Sequence, residues 1–428
     1  MRKLLPFMLL LLTIFSCQKE ESDEPKSFSD KIVLQDLEIT GDSIKLTWSK
    51  LDDASLREYQ VIRREEANGP QTILNSRFYN PIGSLPNNKF TDEAVPYVPT
   101  LEYQVVGVLS SGQNISSNIV TYNRPNIKTI SATPFDVQFN SQRQVLFFFE
   151  SDGKISQYDL NKSQLVKSIK TDATIGYCDF ATYNGTPELY VPRNDGWVFI
   201  YNAETLEKID QFNVGSTATC VVANNDLLFI SANSSSWPYR PLRVYSRASK
   251  TLVSQTNDYN SITRLKRIPN TDTDLLGITA NGGSSNQYYS FSSKGVLLSQ
   301  FQGYSNYPLD ANIFELFPSS RKYLSSSSGI IYSNTLAYEA SLPKGNLVYT
   351  SFYVDPAEQY IYAGTTTKSV EVYTTNNYVQ TRSIKTKAYP FRLFSNGSNG
   401  LLCVSSTTPS SNFYYYNVPS KLVIEQLR

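Results

Sequence analysis

The sequence predicts an all-β protein in two parts, a small β-sandwich followed by a seven-bladed β-propeller. Three observations carry this. Short apolar–polar alternations separated by Ser, Thr, Asn, Gly and Pro fill the chain, and helix-period stretches are scarce. Tyrosine is abundant, with 30 residues, and methionine is nearly absent, with 2. From about residue 125 onward one phrase recurs: a strand ending in an aromatic, a polar turn, then another strand. A chain of 428 residues is expected to hold more than one domain.

The chain begins differently. Arg2 and Lys3 precede an apolar run from Leu4 to Phe15, and Ser16 precedes Cys17. That run is 12 residues long, short of the about 20 that span a bilayer. Residues 1–16 therefore read as a secretory signal peptide. Ile14-Phe15-Ser16-Cys17 resembles the lipobox of bacterial lipoproteins, which implies that Cys17 is lipidated and becomes the mature N-terminus. Acyl chains anchor through about 0.8 kcal/mol per buried CH₂. Residues 17–30 read as the lipidated cysteine and a flexible polar tether. Gln18-Lys19-Glu20-Glu21 resembles the surface-export signal of Bacteroidota lipoproteins, which implies the outer face of the outer membrane; a periplasm-facing anchor is the alternative.

Residues 31–124 read as short strands. Ile44, Leu46 and Trp48 share one face, as do Tyr59 and Val61, and Leu101 to Val108 alternates again. Ile115 to Tyr122 is the expected last strand. This set resembles a fibronectin type III domain, with Trp48 on the second strand and Tyr103 at the tyrosine corner. The resemblance implies a sandwich in which both residues are core and which acts as a spacer.

Residues 125–428 carry the repeat. Its anchoring aromatics are Tyr158, Tyr201, Tyr245, Phe291, Tyr332, Tyr373 and Tyr416, spaced by 43, 44, 46, 41, 41 and 43 residues. A period of about 40–50 with four strands per unit predicts a propeller, and seven anchors predict seven blades. The region resembles WD-like and YVTN-type bacterial propellers, without the Gly-His to Trp-Asp signature of true WD repeats. Both Ile127–Ile130 and Leu422–Leu427 have the pattern of a blade's outer strand, so one of the two is expected to pack elsewhere.

Composition bounds the chemistry. Lys and Arg number 39 against 38 Asp and Glu, a net charge of +1, and removing Arg2 and Lys3 with the signal takes it to −1. No general attraction to nucleic acid follows. The chain has no histidine, which excludes Ser-His-Asp and Cys-His catalysis and His-ligated metals. Carboxylate-pair hydrolysis stays open. Cys178 and Cys220 read as buried, unbridged thiols. Thr271-Asp272-Thr273-Asp274 reads as a solvated turn, since it lacks the ligands of a calcium loop. No cofactor or metal motif is present.

Loops on one propeller face are the candidate site. They hold Trp237, Tyr239 and Arg240 in one long loop and Arg193 and Trp197 in another, with Tyr177, Tyr259, Tyr304, Tyr307 and Tyr389 on the blade connections. Aromatic faces beside Arg suit a sugar ring or a peptide. The expected function is therefore a membrane-anchored, surface-exposed, non-enzymatic binding or scaffold protein for a glycan, a peptide or an envelope partner. The alternative is a propeller lyase or glycoside hydrolase that works without histidine. A purely structural module is the third reading.

Overall fold

The computed structural model describes residues 28–29, 31–65, 70–78, 87–224, 226–233, 241–256, 262–279, 285–304, 306–343, 345–408 and 421–427. Among these the regular structure is all strand, apart from one 3₁₀ turn at Gly397–Asn399. The chain divides into two compact units. One comprises Met1–Val95 and Pro99–Arg124, the other Pro96–Val98 and Pro125–Arg428.

The first unit has two main sheets. Glu38–Thr40, Ser43–Thr47 and Lys89–Asp92 form the smaller. The larger runs in the order Val120–Asn123, Thr100–Leu109, Leu56–Arg64, Gln71–Phe78. The expected apolar faces are buried: Ile44, Leu46 and Trp48 from one segment, Tyr59 and Val61 from the other. Trp48 meets Tyr59 edge to face at 5.5 Å. Tyr103 is buried too, and its hydroxyl donates to Asp92 Oδ2 at 2.8 Å; Arg63 Nη1 donates to the same oxygen at 2.8 Å. Burial and then the Asp92 charge hold the phenol proton on, raising its pKa.

The last strand of this unit is not one run. It consists of Asn114–Ser116 and Val120–Asn123, both paired with Thr100–Leu109. Ser117 Oγ accepts the Val105 N–H at 2.9 Å, and the Asn118 amide bonds both backbone groups of Leu34 at 2.8 and 3.0 Å. Side-chain bonds to nearby backbone displace the ladder at this point.

Among the described residues the second unit holds seven four-stranded antiparallel sheets. Six are consecutive, spanning 134–170, 179–213, 217–255, 264–304, 314–341 and 349–385. The seventh is composite. Tyr389–Ser395, Leu401–Ser406 and Lys421–Leu427 are joined by Ile130–Ser131, which pairs with Leu422 and Lys421 as the outer strand. The open question about the two similar segments is thereby answered: 421–427 is the third strand and 130–131 the fourth. The phrase expected around Tyr416 lies outside the described residues.

The other six aromatic anchors share a detailed geometry. All are buried, and all sit in the third strand of their sheet. Opposite each, the pairing with the fourth strand slips by one residue. The extra residues include Val166, Ile209, Val253 and Leu298, which explains why these apolar side chains are exposed. The turn that follows contains a residue with positive φ: Ser163, Leu206, Lys250, Gly295, Leu336 or Tyr378. The aromatic, the bulge and the left-handed residue form one repeated hairpin.

The core is distributed between neighbouring sheets. Phe147, Phe149, Leu189 and Val191 pack between the first and second. Val137, Leu146, Phe148, Phe391, Leu402 and Val404 form the cluster that joins the seventh sheet to the first.

Candidate functional site

The first strands of all seven sheets line one cavity of about 540 Å³. In four of them the pairing slips by one residue at the same stage: at Pro134/Asp136, Ala218/Cys220, Tyr349/Ser351 and Pro390/Arg392. A bulge re-aims the side chain that follows it. Asp136, Cys220, Ser351 and Arg392 all line the cavity.

Asp136 is almost wholly buried and accepts two guanidinium groups. Arg264 Nη2 lies 3.3 and 3.4 Å from its two oxygens, and Arg392 Nε lies 3.4 Å from Oδ1. These partners come from the fourth and seventh sheets. Arg264 also donates to the Ala311 carbonyl at 3.1 Å and rests 4.2 Å above the Tyr177 ring. The Tyr177 hydroxyl donates to Asn312 Oδ1 at 2.5 Å. Arg392 donates from Nη1 and Nη2 to the Phe391 and Phe135 carbonyls at 2.9 and 3.0 Å. A polar layer thus crosses the cavity and ties the first, fourth and seventh sheets to Tyr177 and to Ala311 and Asn312, which lie just before the first strands of the second and fifth sheets. Burial lowers the pKa of Arg392, which Asp136 only partly offsets; at Arg264 burial is again the largest single influence, but Asp136, Tyr177, Cys220 and Glu315 together outweigh it and raise the pKa.

Further along the same strands the lining becomes aromatic and charged. Phe139, Phe180, Tyr353 and Phe394 are half-buried. Lys266 Nζ lies 2.8 Å from Glu315 Oε2, and burial pulls its pKa down. Asp179 Oδ2 accepts the Ala223 N–H at 2.8 Å. Burial, only partly offset by backbone N–H bonds from Ala223 and Phe180 and by the Arg267 charge, pushes Asp179 up to about 6.

Cys178 and Cys220 are free, buried thiols. Burial raises Cys178 well above the usual thiol range and Cys220 to about 12. Neither supplies a thiolate near neutral pH. No group of three or more His, Cys, Asp or Glu side chains placed to hold a metal occurs among the described residues. Asp274, read from sequence as part of a solvated turn, begins a strand instead and accepts the Tyr288 and Ser290 hydroxyls at 2.8 and 2.7 Å.

The residues singled out in the sequence are placed as follows. Arg193 is buried in the turn between the second and third strands of the second sheet. Its guanidinium is held by Asp195 at 3.1 and 2.5 Å and by Asp172 at 2.8 Å, and it lies 4.0 Å over Phe199. Trp197 opens the third strand and tilts against Phe199 at 6.5 Å. Tyr307 is 40% exposed and stacks on the equally exposed Tyr338 at 4.2 Å. Tyr304 ends the strand Leu297–Tyr304, opposite Ser285. Trp237, Tyr239, Arg240 and Cys17 lie outside the described residues. Of the named aromatics, Tyr177 is the one the structure brings into the cross-cavity layer. Asp136, Arg264, Asn312 and Arg392 were missed. For Asp136 and Arg392 the sequence signal is a lone polar residue within an apolar stretch of a first strand, as in Phe135-Asp136-Val137 and Phe391-Arg392-Leu393; Arg264, in the charged run Arg264-Leu265-Lys266-Arg267, and Asn312, ahead of its strand, carry no such signal.

No protein-family model and no curated protein matches the sequence. Solved structures do. The WD40 repeats of RRP9 superpose with a TM-score of 0.54 at 11% identity, covering 70% of this chain and 95% of that one. The structure of U3-55K gives 0.52 at 11% identity, covering 69% and 95%. The Cps50 (Swd1) β-propeller domain of Myceliophteria thermophila gives 0.51 at 11% identity, covering 70% and 99%. At such low identity the likeness concerns fold alone, and that fold is a β-propeller.

Proposed function

We propose that this chain is a membrane-anchored binding lipoprotein whose second unit, a seven-bladed propeller, is the recognition head for a protein of the cell envelope. In this reading residues 1–16 are the signal peptide, Cys17 carries the lipid, and 17–30 are the tether. Residues 31–124 form a fibronectin type III-like spacer and 125–428 the propeller, displayed outside the outer membrane.

The polar layer across the cavity carries the binding reading. Asp136 is tied by Arg264 and Arg392, Glu315 by Lys266, and Asp179 by a backbone N–H. Buried thiols stay protonated. Such an arrangement suits a rigid scaffold that presents its loops, rather than a nucleophile with an aligned base. Likeness to WD40 propellers favours a protein partner over a glycan.

The anchor is tested in cells expressing the full chain and fed an alkyne analogue of palmitate. The wild type takes up label, Cys17→Ala does not, and protease added to intact cells digests the wild type. Label on the Cys17→Ala protein sinks the anchor; full protection from protease sinks outward display.

A further inference from the structure

The cavity combines features of a ligand site. Its volume, about 540 Å³, falls within the range of about 300–1,000 Å³ typical of small-molecule pockets. Four cationic side chains line it, Arg264, Lys266, Arg267 and Arg392, against three carboxylates, Asp136, Asp179 and Glu315. The Arg–Asp136 separations of 3.3–3.4 Å exceed the about 2.7–2.9 Å of a tight charge-assisted bond, so Asp136 holds both guanidiniums loosely, and the buried Asp310 carboxylate also acts on both through its charge. An ammonium has three donors, and Lys266 directs one to Glu315, with its side chain 25% exposed. Beside these charges stand the half-buried rings of Phe139, Phe180, Tyr353 and Phe394, with Phe139 and Phe394 tilted together at 5.9 Å. A concave site whose lining offers guanidinium and ammonium donors beside apolar rings suits an anion that also carries an apolar body.

We propose that this cavity binds a carboxylate borne on an apolar aromatic body, supplied either as a free aromatic acid or as the C-terminal aromatic residue of a partner chain. The ring lies among Phe139, Phe180, Tyr353 and Phe394, and the carboxylate faces Lys266 and the arginine layer. This deepens the binding reading above and rests on it. Partial protonation of Asp179, whose pKa is raised by burial, removes negative charge from the lining as pH falls toward 6.

Calorimetric titration of the full-length protein with 3-phenylpropionate tests this, with 3-phenylpropanamide as the uncharged match and a short peptide ending in Phe as the second source. The acid or the peptide is expected to bind saturably at one site, about tenfold or more tighter than the amide, as the loss of a charge-assisted contact dictates. Binding weakens with added salt, and Lys266→Gln removes most of the preference for acid over amide. Phe394→Ala weakens acid and amide alike, and serves if the lysine variant does not fold. Binding of the free acid alone assigns the site to a small molecule; binding of the peptide alone assigns it to a partner's C-terminus. Equal affinity for acid and amide, or no saturable binding of either acid or peptide, overturns the proposal. That failure is separable from failure of the binding-head reading, which is read on macromolecules and does not require an occupied cavity.

Discussion

Asp179 shows how far one side chain's surroundings shape its chemistry. Burial is the largest influence on it, and its pKa rises from 3.8 to about 6. Between those values the folded state binds more protons than the unfolded chain. Stability therefore falls as pH rises through that window, and the penalty stays in place above it. Asp179→Asn keeps an acceptor for the Ala223 N–H and removes the ionisation. The variant is expected to gain stability relative to wild type at pH 7.5 and to lose that gain at pH 4. Urea unfolding at the two pH values checks this, and an equal difference at both would refute it. At this scale the sequence was legible where one apolar face is the whole story, as for Trp48, Tyr59 and Tyr103. It was illegible for Asp136, whose partners Arg264 and Arg392 lie 128 and 256 residues away. No local pattern announces a pairing of that range.

At the scale of elements, the recurring aromatic was legible because it marks a hairpin with fixed requirements. A bulge opposite the ring and a left-handed residue in the turn recur with it, and only Gly295 meets the second demand with a glycine. Leu422–Leu427 was ambiguous because its alternation suits a third or a fourth strand equally. Hydrogen bonding decides, and the deciding partner is Ile130–Ser131, near the other end of the unit. Ile130 packs against the cluster that joins the seventh sheet to the first. Ile130→Asp places an unpaired charge there and is expected to destabilise the unit by about 1–3 kcal/mol. Ser131→Asp, on an exposed position of the same strand, is expected to change little. Thermal melts of the two variants separate these outcomes, and equal shifts would show that the short outer strand contributes no packing.

For the whole molecule, fold was more legible than function. Alternation and period led to β structure and a repeat of about 40–50 residues, and solved WD40 propellers share that architecture at 11% identity. Sequences this different can share the fold because a propeller needs only packing between neighbouring sheets, which many residue sets satisfy. The proposed function would depend on loops and on the cavity lining, where residue identity matters and period does not. Aromatics in loops were visible in the sequence, but Arg193 turns out to be bound by Asp172 and Asp195. A polar layer built from three sheets and two connecting segments becomes visible only once the sheets are assembled.

Equilibrium binding of the full-length protein to an array of envelope proteins and polysaccharides, read for both retention and released fragments, tests the binding-head claim most directly. The expected result is saturable retention on one or a few proteins with no fragments released. Release of oligosaccharides, or an intact, folded protein that is retained on nothing, would contradict it.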